Sequence, residues 1–130
     1  MALGAAIRAL LVADGTVSGL VSTRIYPQVM PGHITGDAIA YAINSNDRNQ
    51  SKDGSSQNIK GRFSISIWSS TYTTANSIAD ACINVLDNYK GTSGGLTIQR
   101  MYIDDEGDAT WNEETGFHEV QQDYFVTYNK

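Results

Sequence analysis

Residues 61–69 read Gly61-Arg62-Phe63-Ser64-Ile65-Ser66-Ile67-Trp68-Ser69, and a helical pattern follows within a few residues. Phe63, Ile65 and Ile67 alternate with Ser64, Ser66 and Trp68, a period of two that predicts a strand with one buried face. Beyond it, Ala75, Ile78, Ala79, Cys82, Leu86 and Tyr89 recur at helical spacing with Val85 beside them. Asn76, Asp80, Asn84, Asp87 and Asn88 fall on the other side. The spacing predicts an amphipathic helix opened by Thr73 or Thr74 and ended by Gly91. A half-buried strand running into an amphipathic helix calls for a sheet with a helix packed across it.

Working outward, residues 1–13 carry Leu3, Ile7, Leu10 and Leu11 as one apolar stripe, which predicts an N-terminal helix stopped at Asp14-Gly15. Thr16 can cap a short second turn holding Val17, Leu20 and Val21. Pro27 and Pro31 bracket an extended piece, residues 25–30. Residues 38–44 read as a strand. Residues 44–60 hold a single apolar residue, Ile59, and Asp53-Gly54 near the centre is a hairpin-tip signal. This stretch is expected to be a polar hairpin arm with a mobile tip. Ser93-Gly94-Gly95 forms a turn, and residues 96–104 and 117–128 make the closing strands, joined by an acidic link that holds Trp111. The expected fold is a single α+β domain spanning residues 1–130. It has a mostly antiparallel sheet of about four strands, an N-terminal helix, one long amphipathic helix on the sheet, and the arm at about 44–60.

The composition narrows the function. The chain has 130 residues, 41% apolar and 18% charged, with a net charge of −5. Its 38 Ser, Thr, Asn and Gln residues outnumber the 23 charged ones, so the surface is rich in hydroxyls and amides. No run approaches the roughly 18 apolar residues of a membrane span. Arg8 within the first apolar stretch, and no basic leader before it, read against a signal peptide. The single cysteine, Cys82, makes a reducing compartment the default, and the acidic balance argues against a protein built to grip nucleic-acid phosphates.

No catalytic set emerges. Asp104, Asp105, Glu106, Asp108, Glu113 and Glu114 do not match calcium-loop spacing; solvated turn carboxylates are the simpler reading, with a weak divalent-ion site as the other. His33 and His118 lack ligand spacing, and a hydrogen-bonded structural role is expected for His118 rather than acid–base work. Cys82 lies on the apolar stripe, as a buried inert thiol does. No phosphate loop and no nucleophile elbow is present. Neither a cofactor site nor a metal site is expected. Arg48, Lys52, Lys60 and Arg62 concentrate positive charge around the polar arm of an otherwise acidic chain, a solvated loop or an electrostatic contact with a protein or DNA. Trp68, out of phase with its apolar neighbours, lies either beneath a helix or exposed as an anchor.

Several segments resemble the tail-completion, or tail-terminator, proteins of long-tailed bacteriophages. These are Arg24-Ile25-Tyr26-Pro27 after the first helix, residues 61–68 followed by Tyr72, Ala75 and Ile78-Ala79-Asp80, and Leu86-Asp87-Asn88-Tyr89-Lys90-Gly91. Asp104-Asp105-Glu106 is similar too. The most specific part is Glu113-Glu114-Thr115-Gly116-Phe117-His118 followed by Gln122-Asp123-Tyr124-Phe125-Val126. The match spans nearly the whole chain and says least at 46–58. The resemblance implies a structural virion protein without enzyme activity. It would form a ring, typically a hexamer, on the head-proximal end of the tail tube, stop tube growth and present a surface to the head connector. Assembly would occur in the bacterial host cytoplasm. Its expected partners are other copies of itself, the tube protein and the neck protein, with DNA only passing through the lumen. Residues Arg48, Lys52, Asp53, Lys60, Arg62, Trp68 and Trp111 are the expected subunit or tube contacts. Another head–tail connector protein, or a small metal-dependent hydrolase using Asp104, Asp105, Asp108 and His118, are the alternatives.

Overall fold

Leu3, Ile7 and Leu11 recur one turn apart and are fully buried, which is why the chain opens with helix α1 (Ala2–Ala13). The computed structural model describes residues 2–21, 24–27, 37–48, 59–93, 95–107, 110–113 and 116–129. Asp14 ends α1 and its carboxylate accepts from the Val17 backbone N–H at 2.9 Å, so Asp14 rather than Thr16 caps helix α2 (Gly15–Val21). The two helices meet at a bend of 90°, which turns Val17 and Val21 into the same core as α1. No single helix among the described residues is long and apolar enough to cross a membrane.

The remaining elements are β1 (Ile25–Pro27), β2 (Ala38–Arg48), β3 (Ile59–Ser69), α3 (Tyr72–Leu86), β4 (Gly91–Ser93), β5 (Leu96–Glu106), β6 (Thr110–Asn112) and β7 (Phe117–Asn129). They form one seven-stranded sheet in the order β1-β2-β3-β7-β5-β4, with β6 also paired to β7. The α+β class stands, but the sheet has seven strands where about four were expected. The three additional strands are three residues each, too short to show a period. One of them, β1, is parallel to β2. The sheet is therefore not wholly antiparallel. The strand of 38–44 continues to Arg48, and β3 begins at Ile59, so both flanks of the expected arm are ladder-paired. The arm's tip, with Asp53-Gly54, lies outside the described residues, as does His33.

Among the described residues, the helices lie on one face of the sheet, α1 and α3 against the strands and α2 against α1 and α3. Their buried residues share a core with Ile39 and Tyr41 of β2, Phe63, Ile65 and Ile67 of β3, Ile98 and Met101 of β5, and Val120, Tyr124 and Val126 of β7. The rings of Phe63 and Tyr124 stack at 5.1 Å across the two central strands. The α3 stripe is as the spacing predicts: Ala75, Ile78, Ala79, Cys82 and Leu86 are buried, while Asp80 and Asn84 are exposed. Both ends of α3 differ from the expectation. Thr71 is the N-cap, its hydroxyl accepting from the Thr74 N–H, because three threonines within four residues all suit that position. At the other end the helix stops at Leu86, and Asn88 adopts a left-handed φ of 62°, a conformation that asparagine tolerates. The turn docks α3 on β5: the Ile103 N–H donates to the Asp87 carboxylate at 3.0 Å, and the Asn88 N–H to the Met101 carbonyl at 2.7 Å. Gly91 starts β4 instead of ending the helix.

Gln122 is the fully buried polar side chain that joins helix to sheet. Its amide donates to the Ala79 carbonyl at 3.0 Å and accepts from the Tyr124 hydroxyl at 2.7 Å. Burial, and secondarily the Asp14 carboxylate, push the Cys82 thiol up to about 12 from an ordinary 9.0. Tyr124 moves in the same direction, first through burial and then through the negative charges of Cys82, Asp87 and Glu106. The unfolded chain releases these protons before the folded one does. Their contribution is therefore complete below about pH 9 and falls as pH rises toward 12, by roughly 1.4 kcal/mol per unit from Cys82 alone. At pH 8 the native thiol is expected to resist alkylation until denaturant exposes it. Equal labelling rates in native and unfolded protein would contradict this placement.

Candidate interaction surface

Residues alternating with the core positions of β3, namely Lys60, Arg62, Ser64, Ser66 and Trp68, point to the sheet face opposite the helices. Register sets beside them Thr127, Phe125, Asp123, Gln121 and Glu119 of β7, in that order. On β5, irregularities at residues 98–100 and 103–105 shift the alternation, so that Arg100 stands opposite Thr127 and Tyr102 opposite Phe125. A polar ladder crosses four strands at the middle of this face. Asn44 donates to the Ser64 hydroxyl at 2.6 Å, and Ser64 donates to Asp123 at 2.7 Å. Arg62 bridges Asp123 at 3.2 Å and Asp104 at 3.0 Å, with its guanidinium 5.1 Å above the Phe125 ring. These partners are about a third exposed at Arg62 and Asp104, so each ion pair is worth at most about 1 kcal/mol.

The ladder divides the surface. Toward the arm, Lys60 and Arg100 flank an open hollow of about 220 Å³ floored by Tyr102, Phe125 and Thr127. Arg100 lies over the Tyr102 ring at 4.6 Å and shares a second hollow with Lys90. At the opposite end, Trp68 stacks on Phe117 at 5.6 Å. Trp68 is therefore neither beneath a helix nor fully exposed; it lies half-buried on the open face. Around the edge, His118 sits between the rings of Trp111, 4.9 Å away, and Tyr72, 6.0 Å away. Among the described residues, Trp111 and Tyr72 are the large apolar side chains left most exposed, at 54% and 46%. Exposed carboxylates Asp105, Glu106 and Glu113 run along the same flank of β7 as Trp111.

The expected contact residues thus separate. Lys60 and Arg62 lie in the basic half, joined by Phe125 of β7 and by Arg100 and Tyr102, which the periodicity did not single out because β5 changes phase. Trp68 and Trp111 lie at the far end, joined by Phe117 and Tyr72. Arg48 closes β2 opposite Ile59. Lys52 and Asp53 fall outside the described residues, as do Asp108 and Glu114. Among the described residues, no three His, Cys, Asp or Glu side chains converge to hold a metal ion. The arrangement offers contact chemistry: aromatic anchors, cations on aromatic rings and a charge division along one sheet.

The fold is thus an α+β sheet with helices on one face and a polar, aromatic surface on the other. The profile of the family described as "Tail completion protein gp17" matches residues 5–128, and the chain belongs to that family, the structural tail-completion proteins of bacteriophage virions. Its fold is similar to that of a chain from the structure titled "Virion of native gene transfer agent (GTA) particle". There the TM-score is 0.75 at 20% identity, covering 98% of this chain and 95% of that one. No curated protein sequence matches it significantly.

Proposed function

We propose that the protein is a tail terminator with a structural rather than an enzymatic role. It assembles in the host cytoplasm into a homohexameric ring on the head-proximal end of the tail tube, stops tube polymerisation and joins the tail to the head connector. The observation that carries this reading is the tail-completion family match over residues 5–128. Two separate patches support it, Lys60, Arg62 and Trp68 on the open face and Trp111 with Tyr72 around the edge, because a closed ring requires one patch to meet a different patch on the next copy. Arg48 at the end of β2, together with Lys52 and Asp53 in the sequence that follows, supplies further contacts to a neighbour or the tube. A net charge of −5 suits a lumen through which DNA slides without adhering.

Mass measurement of the purified protein, alone and with tail-tube protein, tests this. The expected result is a closed oligomer of six copies that caps tube ends and halts their growth. A chain that stays monomeric in the presence of tubes overturns the reading. Rings that bind the neck protein but ignore tubes would assign it to the connector instead.

A further inference from the structure

The charge on this sheet is sorted along the strands. Lys60, Arg62, Lys90 and Arg100 gather at the end where β3 starts, with Asp47 opposite Lys60 in the register. Beyond that, Asp105 and Glu106 stand opposite Asp123 and Gln122 of β7, and the exposed Glu113 follows β6 beside Trp111 at the far end. The Arg62 pairs with Asp104 and Asp123 mark the border. Two like ends repel, whereas opposite ends attract and place cations within reach of aromatic rings. A second copy of this chain is the partner that carries the complementary surface. Resting on the ring reading above, we propose that neighbouring copies join head to tail. The basic end of one sheet, through Lys60 and Arg100, seats against Trp111, Glu106 and Glu113 of the next.

Such a contact is heterologous, so repetition closes into a ring when the rotation between copies divides the circle. It also makes assembly sensitive to salt, since exposed charges are screened within about 10 Å at 0.1 M.

Two charge-reversed proteins test the polarity in the presence of tail-tube protein. One carries Lys60→Glu with Arg100→Glu, the other Glu106→Lys with Glu113→Lys. Each alone is expected to need roughly tenfold or more protein to form rings, because its two ends then carry the same sign. Mixed in equal amounts they should assemble as the parent does, in alternation, and a chain carrying all four changes should also recover. All four positions are exposed, so thermal melts should match the parent. Trp111→Ala provides an uncharged check and should weaken rings without altering the melt. Normal rings from either reversed protein, or a mixture no better than its components, overturn the head-to-tail polarity while leaving the terminator reading intact. Absence of rings from the parent chain overturns both.

Discussion

Replacing Phe63 by alanine is expected to lower the unfolding free energy by about 3–5 kcal/mol, the largest effect of any single change considered. Phe63 is fully buried on β3, and its ring stacks on Tyr124 of β7 at an interplanar angle of 11°. These strands are the two at the centre of the sheet, so the cavity would open where neither edge can move in to fill it. Loss of the stacked partner also loosens Tyr124, whose hydroxyl holds the Gln122 amide and, through it, the Ala79 carbonyl of α3. Denaturant titration followed by circular dichroism measures the loss. A change below about 1 kcal/mol would mean that the strand pair is not packed as described.

Leu86→Ala should cost about 2–5 kcal/mol, and Asn84→Ala within about 0.5 kcal/mol. Leu86 is fully buried in the last turn of α3, immediately before the Asp87 and Asn88 bonds that anchor the helix to β5. Asn84 is exposed, two residues earlier on the opposite side. The pair is a test of orientation. Equal, small losses from both variants would place the wrong face of α3 against the sheet.

What could be read in the residues depended on length and phase. The stripe from Ala75 to Leu86 and the alternation through Phe63, Ile65 and Ile67 each extend over enough positions to declare a period, and both are found where the spacing puts them. β4 and β6 span three residues apiece and exist because a neighbouring strand offers unpaired backbone groups, which no local pattern records, whereas β1 falls within the extended piece that the prolines mark at 25–30. The insertion of β7 between β3 and β5 is likewise a tertiary choice. Of the surface, Trp68 was legible as the out-of-phase member of a clear strand, and Lys60 and Arg62 as basic residues beside the polar arm. Arg100 and Tyr102 were not, since the irregularity after Ile98 moves them to the open face. Phe125 and Phe117 carry no mark of which face they take until the register with β3 and β6 is known.

The docking of Asp87 and Asn88 onto β5 has a consequence for growth. A sheet edge is a template, and a chain that exposes two complementary edges can in principle copy itself indefinitely as a fibre. Here the Ile103 N–H and the Met101 carbonyl are already engaged by the end of α3, and β4 covers the ladder from Leu96 to Ile98. A foreign strand arriving at β2 beyond the residues that β1 covers would therefore meet, on the far side, the three-residue edge of β4 and a β5 partly engaged by α3. Such short, interrupted edges propagate pairing poorly, and repeated copies are left to associate through side chains, where geometry can set a finite number.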